Sequence, residues 1–198
     1  MSRLVLVAAF VTVIYGQKPP SVGVFIDFDA VPSERSVAAM KKEAGDIMTS
    51  AGYQLDWRSL SQNRGEESFS NVVVVKFRGK CRLEYPAQGS EVPDTLTLAS
   101  TLVADGHVLP YSEVRCDEIR KVLPYTAQGR QQAMGRALGR VVAHELYHLL
   151  VDTTKHAGKG MAKATLNGWE LITGKESFRG IENFGGQTVQ RLPSNSLP

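Results

Sequence analysis

From Ala127 to about Val151 the chain places Leu138, Val141, Val142, Leu146, Leu149 and Leu150 at helical spacing. A helix of that length with one apolar face has to lay that face on another layer. The residues before it offer one. Ser21 to Asp29 alternates apolar side chains and is rich in β-formers, which predicts a strand. Ser33 then reads as an N-cap, followed by Val37, Met40, Ala44, Ile47 and Met48 at helical spacing until Gly52. Tyr53 to Leu60 predicts a second strand, Ser61 to Ser70 a loop, and Asn71 to Arg78 a third strand. The unbroken run Val72 to Val75 predicts that this third strand is covered on both faces.

Beyond a turn-rich stretch from Pro86 to Pro93, Thr95 to Ala104 and His107 to Val114 read as two strands joined at Asp105-Gly106, a hairpin signal. Pro110 makes the second of them irregular or an edge. After the long helix, a further helix is expected from about Met161 to Ile172, ended by Gly174, and the tail 183–198 is rich in Gly, Ser, Gln and Pro, hence flexible. The order predicts an α/β (α+β) fold: a mixed, mostly parallel sheet with an N-terminal helix, a long helix and a small C-terminal helical part. The expected division is 1–16 as a leader, 17–182 as one domain and 183–198 as a tail.

At 198 residues with 42% apolar side chains, one domain with a substantial core is the economical reading. The net charge of +3 is small, and Lys and Arg are spread along the chain, so nucleic acid is not an expected partner. Arg3 precedes an apolar run, Leu4 to Tyr15, too short to span a bilayer, and Gly16, Gln17, Lys18, Pro19 and Pro20 break it. That is the layout of a secretory signal peptide, with cleavage expected after Gly16 and no long pro-segment before the first strand. The expected location is secreted or periplasmic, without a stable membrane anchor after cleavage. In an oxidising compartment the two cysteines, Cys81 and Cys116, are expected to form one disulfide, so a metal site must be built from histidines and carboxylates.

On the long helix lies His144-Glu145-Leu146-Tyr147-His148. Two histidines four residues apart share a helix face, one turn above the other, and both imidazoles can reach one metal ion. Glu145, rotated by about 100° from His144, stands beside the metal instead of on it. There it can take a proton from a water that Zn2+ makes acidic, and can later give it to a leaving amine. A third ligand is needed. Three of the four histidines fall between positions 144 and 156, which favours His156; Asp152 and Glu170 are the other candidates.

At these residues the sequence resembles the zincin metallopeptidases, and the element order before them resembles the first half of that fold. The resemblance implies zinc held by His144 and His148, Glu145 as general base and acid, and peptide or protein as substrate. A downstream histidine is similar to the metzincin branch, but Val151 stands where that pattern has glycine and the third histidine comes two residues late. The same resemblance offers Met161 as the methionine beneath the metal. It also implies that the strand at Thr95 to Ala104 borders the cleft, with Thr97, Leu98, Ala99 and Ser100 pairing with an extended substrate. Tyr147, Tyr111 and His107 are candidates to stabilise an oxyanion. A monomer is expected. Two rival readings stay open: a secreted binding module with a non-catalytic metal, and a zinc-dependent hydrolase of a non-peptide amide.

Overall fold

The computed structural model describes residues 19–62, 65, 68–83, 96–124, 127 and 129–173. The expected leader and its cleavage site, the turns from Pro86 to Pro93, Thr95, Gly174 and the tail lie outside these residues. The elements are β1 (Ser21–Ala30), α1 (Glu34–Ser50), β2 (Gln54–Ser59), β3 (Asn71–Lys80), β4 (Ala99–Ala104), β5 (His107–Arg115), α2 (Cys116–Val122), α3 (Arg130–Leu150) and α4 (Gly168–Ile172), with a single 3-10 turn at Leu60–Gln62. The sheet order is β2-β1-β3-β5-β4. All neighbours are parallel except β4, which pairs antiparallel with β5 at one edge. The fold is thus a mixed, mostly parallel α/β structure, as the element order implies.

Alternation along the strands explains the layering. Val22, Val24 and Ile26 of β1, Val73, Val75 and Phe77 of β3, and Val108 and Val114 of β5 join Met40, Ile47 and Met48 of α1 and the apolar face of α3 in one core. All six apolar positions that define α3 in the sequence are buried. The opposite face of the sheet is different. Val72 is 43% exposed and Val74 partly so, against the expectation that β3 is covered on both sides. The described helices contribute their apolar faces to the core side. On the outer side Phe25 meets Phe69 edge to face, and ion pairs join Lys76 to Asp27 and Arg78 to both Asp29 and Glu113. Four consecutive valines satisfy β-propensity as well as burial, so the run alone cannot count the covering layers.

Three further corrections have local causes. Helix α3 starts at Arg130, not Ala127, because Gly129 is left-handed (φ 58°) and the Ala127 N–H closes a turn on the Pro124 carbonyl. The helix expected from Met161 shrinks to Gly168–Ile172, started by a reciprocal capping box between Asn167 and Glu170, while Met161 lies in a turn. Helix α2 has no counterpart in the sequence reading: two turns are too short to display a period, although Asp117 and Glu118 at its start and Arg120 and Lys121 at its end suit the helix dipole. Pro110 does make β5 irregular, but not an edge. Between the pairs Thr101↔Ser112 and Val103↔Val108, β4 advances two residues while β5 advances four, and Pro110 falls inside that irregularity. The turn at Asp105-Gly106 has both residues at positive φ (51° and 80°), as a two-residue hairpin requires.

Cys81 and Cys116 are joined in a disulfide, both fully buried. Cys81 follows the last residue of β3 and Cys116 the last residue of β5, so the bridge ties the ends of two adjacent parallel strands. It closes a segment that contains the edge strand β4, which restricts the unfolded chain by a few kcal/mol, on the order of 3–4.

Helices α1 and α3 approach very closely at Gly139. A Cβ placed there would lie 2.7 Å from the Met40 carbonyl oxygen and 2.8 Å from Glu43 Cβ, so backbone would have to move. Alanine is intrinsically better than glycine in a helix interior by about 1 kcal/mol, whereas overpacking costs roughly 1–3 kcal/mol. Gly139→Ala is therefore expected to lower the unfolding free energy by about 1 kcal/mol net, read as a lower urea midpoint. An unchanged or higher midpoint would show that the interface yields without cost.

Candidate metal centre and cleft

The second half of α3 carries His144, Glu145 and His148 under β4 and beside the loop that follows the helix. Helical geometry brings the two imidazoles together edge to face: their centroids are 4.7 Å apart and the two Nε2 atoms 3.0 Å apart. What orients them is backbone. His144 Nδ1 donates to the Met161 carbonyl at 2.6 Å, and His148 Nδ1 donates to the Thr153 carbonyl at 2.7 Å. A carbonyl can only accept, so each Nδ1 carries a proton, and in a neutral imidazole the facing Nε2 is then a bare lone pair. Two lone pairs pointed at one another at 3.0 Å repel unless a positive charge lies between them. Burial lowers the pKa of both histidines, and the neighbouring His156 lowers it further, which disfavours a proton in that role.

His156 completes the group. The chain leaves α3 through Asp152, whose φ of 47° makes the left-handed bend, and the Thr153 N–H returns to the His148 carbonyl at 3.0 Å. Glycine is thus not needed at position 151, because the reversal falls one residue later on an aspartate, a residue type that tolerates it. The His156 ring then lies 5.3 Å from His144, nearly parallel, and 4.7 Å from His148. The ligand atoms of the three side chains lie within 4.8 Å of one another. Tetrahedral coordination at zinc–nitrogen distances near 2.05 Å separates donor atoms by roughly 3.3 Å, so this donor set suits a divalent ion of that kind. The outer hydrogen bonds to backbone carbonyls are those that usually set the tautomer of metal-binding histidines.

The other ligand candidates are engaged elsewhere. Asp152 accepts from the Val108 N–H at 2.8 Å and from His107 Nδ1 at 2.9 Å, which tethers the β4–β5 hairpin to the end of α3. Those bonds hold its carboxyl below the usual range, the Val108 N–H foremost, and the same pairing raises His107. Glu170 accepts from Lys163 Nζ at 2.6 Å and from the Asn167 N–H at 2.9 Å, within its capping box. Met161 is buried, and it serves the site through its carbonyl.

Glu145 is 5% exposed, and burial pushes its carboxyl upward, an effect that the Thr101 hydroxyl and the nearby histidines only partly oppose. Thr101 Oγ1 donates to Glu145 Oε2 at 2.5 Å and lies 2.8 Å from Ser112 Oγ. Neither hydroxyl was recognisable from the sequence, because cross-strand pairing, not spacing, puts them there. The three histidines and Glu145 open onto a cleft of about 830 Å³, within the range of small-ligand sites. Thr97, Leu98, Ala99 and Ser100 all line it, together with apolar Leu96, Val122, Val141 and Leu166. Of the three oxyanion candidates none lines this cleft: His107 is 74% exposed and bound to Asp152, Tyr111 pairs with Val74 in the sheet, and Tyr147 packs its ring against His148.

Comparisons with protein-family models, with curated proteins and with solved structures find no match to this chain. The site is therefore read from its own geometry.

Replacing His156 with alanine should weaken metal binding by more than the roughly 10–100-fold that loss of an outer hydrogen-bond partner costs. Asp152→Ala should leave one tightly bound ion per chain. Metal titration of both variants checks this, and the reverse outcome would transfer the third-ligand role to Asp152.

Proposed function

We propose that this chain is an exported, zinc-dependent metallopeptidase of the zincin type, with His144, His148 and His156 as ligands and Glu145 as general base. The observation that carries the proposal is the pair of facing imidazole nitrogens, made bare by the Met161 and Thr153 carbonyls and set beside a buried glutamate on the wall of a cleft. Three imidazoles with one side open to the cleft suit zinc in a catalytic arrangement. Zinc, when bound, supplies a Lewis acid that polarises a carbonyl and makes water acidic near neutral pH.

The protein's own groups supply the rest. Glu145, with its carboxyl raised by burial, suits both directions of proton transfer. It takes the proton of the attacking water as the carbon–oxygen bond forms, and passes it to the amine nitrogen as the carbon–nitrogen bond breaks. Thr97 and Leu98, leading into the edge strand β4, and Ala99 and Ser100 at its start line the cleft, and the strand leaves an outer edge to which an extended peptide can add. The buried Cys81–Cys116 disulfide supports an oxidising compartment. Among the described residues no helix is long and apolar enough to cross a membrane.

A purely structural metal has no use for a carboxylate buried beside it, which weighs against a binding module. Glu145→Gln separates the two: the variant should keep its metal and its fold while peptide cleavage falls by about 10²–10⁴-fold. Undiminished cleavage by that variant would remove the base from the mechanism. Cleavage of simple amides but of no peptide would favour the non-peptide amidohydrolase.

A further inference from the structure

The core contains a polar pair that packing does not require. Ser112 is 1% exposed, on the inner face of β5 among apolar residues, where an alanine would fill the space without the cost of desolvating a hydroxyl. Directly across the sheet stands Thr101, brought into register with it at the irregularity that Pro110 occupies. Residues paired in this way on antiparallel strands project their side chains to the same face. Their hydroxyl oxygens lie 2.8 Å apart, and Thr101 alone continues to Glu145.

The direction of this chain of hydrogen bonds follows from chemistry. An ionised carboxylate only accepts, so Thr101 spends its single proton on Glu145 Oε2. The Thr101 oxygen must then accept from Ser112. The Ser112 hydroxyl is thus spent on Thr101, and the Thr101 hydroxyl on one oxygen of one carboxylate, on the residue of α3 next to His144. We infer that Thr101, backed by Ser112, is a positioning residue for catalysis: the pair holds the Glu145 carboxylate in a single orientation from the opposite layer of the fold. This rests on the reading of Glu145 as general base. Because neither residue is a metal ligand, the device sets the base without touching the ion, and because Thr101 belongs to the strand that lines the cleft, it couples the position of the base to that of β4.

The test compares Thr101→Val, which keeps shape and removes the hydroxyl, with Thr101→Ser, which keeps the hydroxyl, in the full chain loaded with zinc. With a cleavable peptide, Thr101→Val should lower kcat about 10–100-fold while KM stays within about twofold. Metal content should remain at one ion per chain, and Thr101→Ser should recover most of the loss. Crystal structures of the wild type and of Thr101→Val provide a readout independent of activity: the Glu145 carboxylate should be single in the first and rotated or disordered in the second. An unchanged kcat, a loss confined to KM, or a carboxylate that stays in place would overturn the assignment. If the wild type cleaves no peptide, the peptidase reading fails by itself, and the carboxylate's behaviour in the two crystals alone decides the positioning role.

Discussion

Arg140 enters the interior one turn before His144, and the elements around the site are tied together through it. It is 1% exposed, and its Nε donates to the buried Glu43 of α1 at 2.8 Å. Its Nη1 donates to the backbone carbonyls of Glu170 and Thr173, at the end of α4. A charge so deep is tolerated only when it is paired and its donors are used, and loss of one partner from such a pair typically costs about 3–5 kcal/mol. Here the guanidinium joins three helices at one level. Gly139, the preceding residue, is one of the places where α1 and α3 approach closely, so the close approach and the ion pair sustain each other. Helix α4, held by Arg140, presents Gly168 and Glu170 to the cleft.

The site follows the same logic of polar groups satisfied at depth. Among the described residues, every buried side-chain nitrogen and oxygen has a hydrogen-bond partner. The His144 and His148 Nδ1 protons go to carbonyls on the segment that leaves α3 and returns, and this commits the opposite nitrogens to each other. Asp152 serves that segment twice. Its backbone makes the left-handed reversal, and its carboxylate ties the reversal to the Val108 N–H on the hairpin. The hairpin in turn brings Thr101 to Glu145. The histidine pair, Glu145 and the cleft wall are therefore linked through the reversal and the hairpin, while the disulfide ties the ends of β3 and β5.

Much of this architecture was legible in the sequence wherever one segment's own pattern decides its structure. The alternation in β1, the Ser33 cap of α1, the apolar period of α3 and the turn at Asp105-Gly106 each predicted the element found. The four-residue interval between His144 and His148 placed them on one helical face, and the clustering of histidines pointed to His156. The sequence was silent where the outcome depends on a distant segment. The valine run of β3 even pointed the wrong way, to cover on both faces, since a strand's own residues do not count the layers packed on it. The second helix was overestimated because helical spacing in 161–172 is local, whereas the Met161 carbonyl is drawn to His144 across the fold.

By itself, then, the sequence determined the order of the five strands, α1 and α3, the pairing of the only two cysteines and the presence of a histidine–glutamate group on a long helix. Those are consequences of periodicity, capping and residue type, which act within a few residues. Only the tertiary structure decided which of His156, Asp152 and Glu170 joins the histidine pair, because all three are chemically competent. The choice came from the hydrogen bonds that Val108, His107, Lys163 and Asn167 already make to the two carboxylates. It likewise decided that Thr101 and Ser112 belong to the site: their pairing depends on strand register, and register is set by the whole sheet packing its face on the core.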